Sequence, residues 1–181
     1  VSAVKSKIYD GNTNAEGTLT LSSNDGKPIL SEDAVALEAK GTFTWTSKDA
    51  GTNTVDVTGI ALDSQFEDRY ELTARELSNV SCSGAKIENA KIQNVSVRQV
   101  MELTYNGREQ LPEVTATGST IGGTAITFHY GLTAEQVEDE NEWLNYVPAF
   151  TDAGTYTVYY TASAVNHDSV SGSFEIEIKN A

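Results

Sequence analysis

Apolar and polar residues alternate along most of the chain, most clearly near its end. Phe174, Ile176 and Ile178 are separated by single Glu residues, so the apolar side chains recur at every second position. Side chains two residues apart lie on the same face of a β-strand, whereas those of a helix recur every three or four residues. The pattern therefore predicts strands with one apolar face. The same alternation marks seven earlier segments: Leu19 with Leu21, Val35 with Leu37, Phe43 with Trp45, Val55 with Val57, Ile60 with Leu62, Ile126 with Phe128 and Tyr130, and Tyr156 with Val158 and Tyr160.

The residue types between and within these segments favour the same fold class. Thr, Val and Ile make up 45 of the 181 residues, and β-branched side chains fit pleated strands better than helices. Glycine-containing turns separate the strands at residues 9–12, 24–26, 49–52, 106–107 and 152–154. One helical turn is expected at residues 132–137, where Thr133 and Gln136 have the spacing of a capping box. The chain is predicted to be all-β, with six to eight short strands in each half.

A ten-residue segment occurs twice and sets the domain organisation. Residues 49–58 and 152–161 are identical at seven of ten positions, and both begin Asp-Ala-Gly-Thr. Tyr-Asp-Gly at residues 9–11 likewise corresponds to Tyr-Asn-Gly at residues 105–107. A repeat of about 90 residues predicts two tandem β-sandwich domains, residues 1–89 and 90–181. No Gly or Pro lies between Gly84 and Gly107, so we expect a short, stiff junction and an elongated monomer.

Both halves resemble repeat domains of bacterial surface proteins. The first carries Lys-Ile-Tyr-Asp-Gly-Asn-Thr at residues 7–13 and Asp-Ala-Gly-Thr at residues 49–52, and it resembles the YDG-type domain. The second carries Tyr-Asn-Gly, then Trp143, then Phe-Thr-Asp-Ala-Gly-Thr-Tyr at residues 150–156, and it is similar to the MBG-type domain. The resemblance implies immunoglobulin-like β-sandwiches in a cell-surface or secreted protein. Arg69 departs from the first family's usual Asn, and Asn166-His167 departs from an expected Asn-Tyr pair.

Charge and cysteine content exclude several classes of partner. The chain has 12 Lys and Arg against 26 Asp and Glu, a net charge of -14, which repels nucleic acid and anionic lipid. No apolar run approaches the ~18 residues that span a bilayer, so membrane insertion is not expected. Cys82 is the single cysteine and therefore leaves no disulfide framework. The expected partners are neighbouring repeats of the same chain, with a cell-surface glycan or a host protein as further candidates.

The sequence carries no pattern that indicates an enzyme, a cofactor or a metal site. His129 and His167 are the only histidines, and neither stands in a catalytic or metal-ligand spacing. His129 is expected on the solvent face of a strand. Five carboxylates cluster near residue 140, but they lack the alternate spacing and central Gly of a calcium loop. A solvated loop is favoured, and calcium binding by this acidic run stays open. The run comprises Glu135, Glu138, Asp139, Glu140 and Glu142.

Aromatic residues of the second half supply the only candidate ligand contacts. Tyr156 and Tyr160 share the phase of Val158 and are expected in the core. Tyr159 points the other way, and Tyr159 with Trp143 could form an exposed platform that stacks on sugar rings. The leading hypothesis is nevertheless a non-enzymatic structural, spacer or adhesion module of an extracellular protein. The alternative is a glycan-binding module that uses Trp143 and Tyr159.

Overall fold

The computed structural model describes residues 1–24 and 26–181, and these residues form strands and two short 3-10 turns without any α-helix. The all-β prediction is confirmed. The chain divides into two compact units, Val1–Asn89 and Ala90–Ala181. No helical segment in the described ranges is long and apolar enough to cross a membrane. The predicted turn at residues 24–26 includes Asp25, which lies outside the described residues.

The strands of the first unit are β1 (Ala3–Val4), β2 (Lys7–Ile8), β3 (Gly17–Thr18), β4 (Ala39–Trp45), β5 (Thr54–Leu62), β6 (Leu77–Ser81) and β7 (Ile87–Glu88). They pair in three groups. Strands β4, β5 and β6 form an antiparallel sheet in that order, β1 pairs antiparallel with β3, and β2 pairs parallel with β7. One 3-10 turn follows β5, where the Asp63 carboxylate accepts a hydrogen bond from the Gln65 N–H and so caps the turn.

The alternation of β5 explains how the core of the first unit is filled. Val55 and Val57 are buried at successive inward positions, and the next buried residue is Ile60, three positions later. Gly59 lies between them with a φ of 62°, a conformation that glycine adopts without a Cβ clash. The irregular backbone at Gly59 therefore keeps Ile60 on the inward face. The buried core comprises Tyr9, Phe43, Trp45, Val55, Val57, Ile60, Phe66, Ala85 and Ile87.

The second unit has longer strands: β8 (Ala90–Lys91), β9 (Gln93–Gln99), β10 (Leu103–Thr104), β11 (Val114–Ser119), β12 (Thr127–Gly131), β13 (Gly154–Ser163), β14 (His167–Asp168) and β15 (Val170–Lys179). Strands β12, β13 and β15 form an antiparallel sheet, with β13 in the middle, and β15 also pairs parallel with β10. Strand β9 pairs antiparallel with β11, and β8 pairs parallel with β14. A 3-10 turn at Ile121–Gly123 follows β11.

One buried cluster joins the two main groups of strands in the second unit. Val97 of β9 packs in the same cluster as Tyr130 of β12, Val158 of β13 and Ile176 of β15. The strict alternation predicted for β15 is confirmed, since Ile176 and Ile178 are buried and the Glu residues beside them are exposed. Each half of the chain also has the predicted number of strands, seven and eight among the described residues.

Two sequence predictions fail in the first unit. Val35 and Leu37 do not form a strand, because residues 31–36 make successive turns in which the Leu37 N–H donates to the Asp33 carbonyl at 2.8 Å. Val35 is 92% exposed, so its apolar character does not reflect burial. Leu19 and Leu21 are half-buried but follow the end of β3 rather than forming a strand. At Val35 and Leu37, a local hydrogen-bonded turn thus forms in place of the strand that the alternation predicted.

The predicted helical turn at residues 132–137 is present as a turn, but the Gln136 side chain bonds to Leu132 instead of Thr133, so the predicted capping box is only half formed. The Thr133 hydroxyl accepts from the Gln136 N–H at 3.2 Å, and the Gln136 side-chain oxygen accepts from the Leu132 N–H at 2.8 Å. A single helical hydrogen bond runs from the Asp139 N–H to the Glu135 carbonyl. Leu132 is 49% exposed, so it does not form the expected staple with the buried Val137.

Candidate functional site

Trp143 lies against the outer side of β12. Its ring stacks on the His129 ring with 4.2 Å between centroids, and its indole N–H donates to the Val137 carbonyl at 2.8 Å. Trp143 is held near β12 because the backbone of its neighbour Leu144 forms an antiparallel bridge with Tyr130. Trp143 is half-buried, and one ring face is occupied by His129. The area left for a sugar ring is therefore smaller than that of a free indole.

Tyr159 lies on the same face of the sheet as His129. It pairs with Gly131 of β12 and Ser173 of β15, and its side chain is half-buried. The prediction that Tyr156 and Tyr160 point inward is supported by their packing against the core cluster. Tyr159 and Trp143 are thus brought to one face of the β12–β13–β15 sheet, but both are more shielded than an exposed platform requires.

Both histidines pack against other residues of the second unit. His129 was expected on the solvent face, and it does lie on the outer face of the sheet. Trp143 covers its ring, however. The His129 Nδ1 is shielded from solvent and has no hydrogen-bond partner in the described residues. His167 is buried and its Nε2 accepts from the Ile121 N–H at 3.1 Å. An accepting Nε2 places the ring proton on Nδ1, which donates to the Val165 carbonyl at 2.8 Å. His167 is the first residue of β14, and its ring therefore links this strand to the 3-10 turn at Ile121–Gly123.

The acidic run lies in the loop between β12 and β13. Glu135 and Glu142 contribute their backbone carbonyls to turn hydrogen bonds, and Asp139 accepts from Asn141 at 2.9 Å. Across residues 1–24 and 26–181, no group of three His, Cys, Asp or Glu side chains is arranged to hold a metal ion.

We expect folding to be independent of calcium. Thermal unfolding measured in EDTA and in millimolar Ca²⁺ should give the same midpoint, because only a ligand that prefers the native state raises it. Differential scanning calorimetry on the whole chain would make the comparison, with Mg²⁺ at the same concentration as the control for ionic strength. A rise of several degrees in Ca²⁺ alone, lost in Glu138→Gln with Asp139→Asn, would assign a calcium site to the acidic run.

The Tyr-Asp-Gly segment of the first unit forms a tight polar loop after β2. Lys7 Nζ donates to the Asp10 carboxylate at 2.7 Å and to the Asn12 side-chain oxygen at 2.8 Å, and Gly11 has a φ of 81°. Burial alone raises the pKa of Asp10, but the hydrogen bonds from Lys7 and the Asn12 N–H outweigh it and lower that pKa overall. Tyr9 is buried in the core. The motif therefore anchors a turn.

A groove lined by apolar and polar residues opens in the first unit beside residues 19–24 and 27–30. It has a volume of about 710 Å³ and lies near the end of β5 and the start of β6. Arg69 and Tyr70 stand at its polar side. The apolar lining includes Leu19, Leu21, Leu30, Ile60, Leu72 and Leu77. Polar residues contribute almost as much of the lining, among them Thr20, Ser22, Lys27 and Glu71.

A buried carboxylate holds one wall of this groove. Asp33 is 5% exposed, and its Oδ2 accepts from the Tyr70 hydroxyl at 2.8 Å and pairs with Arg69 Nη1 at 2.8 Å. The Tyr70 oxygen in turn accepts from the Leu30 N–H at 3.1 Å, and the Arg69 guanidinium lies 5.4 Å from the centre of the Phe66 ring. We call these three residues, Asp33, Arg69 and Tyr70, the Asp33 cluster.

The Asp33 cluster was not predicted from the sequence. Asp33 and Tyr70 are 37 residues apart and come together only through the fold. The pKa of the Tyr70 hydroxyl is raised, mainly by burial and secondly by the hydrogen bond to the Asp33 carboxylate. The hydroxyl therefore remains a donor at neutral pH. The one sequence signal was Arg69, which replaces the family's usual Asn and supplies the positive charge that a buried carboxylate requires.

Comparison with known proteins shows a similarity over most of the first unit. A family model described as the YDG domain matches residues 1–77. Residues 1–77 therefore match the YDG family. The YDG match spans β1 to β5 and ends at the first residue of β6, so it includes the Lys7 loop and the whole Asp33 cluster. No curated protein and no solved structure matches the chain. The YDG part of the predicted resemblance is confirmed, and the MBG part stays a prediction.

Proposed function

We propose that the chain is a non-enzymatic structural module of a bacterial cell-surface or secreted protein, built of two tandem immunoglobulin-like sandwiches that act as a force-resistant spacer. The observation that carries this proposal is the parallel pairing of an early and a late strand in each unit. In the first unit β2 pairs with β7, and in the second β10 pairs with the end of β15.

Parallel pairing at the two ends of a unit opposes extension. When the two chain ends are pulled apart, parallel neighbours move in opposite directions along their common axis. Their hydrogen bonds are then loaded together in shear instead of one after another. The Tyr9 N–H donates to the Glu88 carbonyl and the Tyr105 N–H donates to the Lys179 carbonyl, each at 2.8 Å. These bonds extend the parallel pairs by one residue in both units.

Side chains in the second unit reinforce the same region. The Gln99 side chain accepts from the Glu177 N–H at 2.8 Å and donates to the Glu177 carbonyl at 3.2 Å. This double contact joins β9 to β15 where no strand ladder connects them. The core cluster draws residues from β9 and from β12, β13 and β15, an arrangement that supports a sandwich of two layers. The YDG match and the surface-protein resemblance support the proposed extracellular setting.

Single-molecule pulling tests the proposal. Each unit of about 90 residues should unfold in its own step and release about 300 Å of chain, since an extended residue spans about 3.3–3.6 Å. Tyr105→Pro should lower the unfolding force of one step only, because proline cannot donate to the Lys179 carbonyl. Tyr105→Phe keeps the N–H and serves as the matched control. The proposal would be contradicted if both units unfold at forces as low as those of a protein whose strand hydrogen bonds break one after another.

We expect the two units to fold independently. Residues 1–89 and 90–181, expressed apart, should each unfold in one cooperative transition, because a sandwich of about 90 residues can bury enough apolar surface without disulfides. Chemical denaturation followed by tryptophan fluorescence suits both halves, since Trp45 and Trp143 fall in different units. A half that remains unfolded alone would show that the boundary at Asn89 is misplaced.

A glycan-binding screen with residues 90–181 separates the spacer from the alternative function. A spacer should bind no glycan. Binding that is lost in both Trp143→Ala and Tyr159→Ala, while Tyr146→Ala retains it, would assign a lectin-like role to the second unit. Tyr146 is the suitable control because it is an aromatic residue of the same unit with 62% exposure.

A further inference from the structure

The second unit contains an Asn-Gly pair, Asn106-Gly107, in the loop after β10. The chain has twelve Asn residues, and each of the other eleven is followed by a residue with a side chain. The main-chain nitrogen after an Asn can attack the carbon of the side-chain amide, and a Cβ on the attacking residue hinders its approach. Glycine has no Cβ and lets the two groups come close. The sequence therefore places the least hindrance to this reaction at Asn106.

The structure leaves the Gly107 nitrogen open to the reaction. Asn106 and Gly107 are both exposed, and no described residue accepts a hydrogen bond from the Gly107 N–H. Gly107 has a φ of 71°, and a Cβ added there would have the Tyr105 hydroxyl, at 3.9 Å, as its one contact within 4 Å among the described residues. Water and hydroxide therefore reach the reacting atoms.

A local hydrogen bond folds the Asn106 side chain over the same peptide unit. The Asn106 Oδ1 accepts from the Arg108 N–H at 2.9 Å, which forms an Asx turn across Gly107. Because the turn already restricts the side chain, less freedom is lost when its carbon and the Gly107 nitrogen join. The hydrogen bond to Oδ1 also stabilises the negative charge that this oxygen gains during the attack.

The first unit carries the product of this reaction at the equivalent place. Asp10 of Tyr-Asp-Gly corresponds to Asn106, and the Asp10 Oδ1 accepts from the Asn12 N–H at 3.1 Å in the same kind of turn. An aspartate therefore fits the loop. Asp10 is itself protected from ring closure, because Lys7 Nζ binds its carboxylate at 2.7 Å and a carboxylate anion is a poor target for a nucleophile.

The second unit has no counterpart of this lysine. Leu103 takes the place of Lys7 in the equivalent parallel pairing, and it is buried. The Arg108 N–H is the one hydrogen-bond partner that the described residues give the Asn106 side chain, and it binds the oxygen. The amide nitrogen of Asn106, which must leave in the reaction, is therefore not held by any of these residues.

We propose that Asn106 is a site of spontaneous deamidation. The Gly107 nitrogen loses its proton and bonds to the side-chain carbon of Asn106, and ammonia leaves, so that a cyclic imide remains. Water then opens the imide at either carbonyl, which gives aspartate or its isomer isoaspartate. The net reaction consumes one water and releases one ammonia, and nothing is oxidised or reduced. This modification is independent of the proposed spacer function.

The two products differ in their effect on the second unit. Aspartate adds one negative charge to a chain of net charge -14 and keeps the turn, as Asp10 does. Isoaspartate adds a methylene group to the main chain directly after Tyr105, whose N–H donates to the Lys179 carbonyl at 2.8 Å. Amide exchange at Tyr105 should therefore be faster in the isoaspartyl form, whereas exchange at Tyr9 should not change.

Peptide mapping by mass spectrometry tests the proposal on the whole chain. After storage at mildly alkaline pH, the peptide that contains Asn106 should gain about 1 Da, in a fraction that rises with time. Asn145 is the internal control, because it is exposed and is followed by Tyr146. It should react at least about tenfold more slowly. No gain at Asn106, or equal gains at Asn106 and Asn145, would overturn the proposal.

Two variants locate the chemistry at this side chain. Asn106→Gln lengthens the side chain and disfavours ring closure, so it should show no gain over the same period. Asn106→Asp should elute from an anion-exchange column with the aspartyl form of the stored chain. An isoaspartate-specific methyltransferase should label the stored chain but neither the fresh chain nor stored Asn106→Gln. Equal labelling of the stored chain and of stored Asn106→Gln would place the reaction elsewhere and overturn the proposal.

Discussion

Replacing Trp45 with alanine is expected to lower the free energy of unfolding of the first unit by about 3–5 kcal/mol, the cost of removing a buried aromatic side chain and leaving a cavity. Trp45 is 1% exposed and lies at the end of β4 opposite Val55. Its backbone N–H donates to the Thr13 carbonyl at 2.7 Å, so the residue also joins β4 to the segment before β3. Urea denaturation of residues 1–89 and of the whole chain would measure the change.

Trp45→Phe is the informative control for this site. The indole Nε1 of Trp45 is buried without a hydrogen-bond partner in the described residues. A buried N–H without a partner is unfavourable, and phenylalanine removes it while filling most of the ring volume. Trp45→Phe should therefore cost less than about 1.5 kcal/mol, as expected for a hydrophobic exchange of similar shape. A loss below about 1 kcal/mol in Trp45→Ala would place the side chain at the surface and reverse the assigned faces of β4.

The strand predicted most accurately is one in which a long alternation coincides with a long ladder. β15 alternates over Val170–Lys179 and pairs with β13 along most of its length. β5 was predicted as two short strands, and Gly59 joins them by shifting the phase. Val35 and Leu37 show the opposite case: two alternating positions carry little information when a hydrogen bond to the Asp33 carbonyl makes a turn more favourable.

The candidate sites were harder to predict than the fold. Trp143 and Tyr159 do lie on one face, but no local pattern indicated that Trp143 would stack on His129 and become shielded. The groove of the first unit is lined by residues that are distant in sequence, such as Leu19, Ile60 and Leu77, which only the fold brings together. Local patterns report the face of a side chain and the position of a turn. They do not report which distant side chains meet.

Arg69→Met is expected to destabilise the first unit by about 2 kcal/mol at neutral pH. The Asp33 carboxylate is buried, and loss of Arg69 leaves it with the Tyr70 hydroxyl as its remaining partner within the cluster. Removing one partner of a fully buried ion pair costs about 3–5 kcal/mol, and we expect less here because the Arg69 side chain is 44% exposed and partly screened by water. Arg69→Lys keeps the charge but loses the planar donor, so its stability should lie between those of the unmodified chain and Arg69→Met.

The pH dependence of Tyr70 supplies a second test of the cluster. Its pKa is raised in the folded unit, so the stabilisation it contributes is fully present below the unfolded value of about 10 and is lost as the pH rises through the folded value. The stability of the unmodified chain should therefore fall more steeply above about pH 10 than that of Tyr70→Phe. Equal slopes would mean that Tyr70 does not donate to Asp33.

A double-mutant cycle distinguishes a coupled cluster from separate contributions. Asp33→Leu alone leaves Tyr70 and Arg69 without their acceptor, whereas Asp33→Leu with Arg69→Met replaces the ion pair by apolar side chains. Because the charge that must be compensated is then absent, the double variant should lose less stability than the sum of the single variants, with a coupling of at least about 1 kcal/mol. Additive losses would show that Asp33 and Arg69 act independently. In that case the groove wall would depend on the Tyr70 contact with Leu30 rather than on the buried carboxylate.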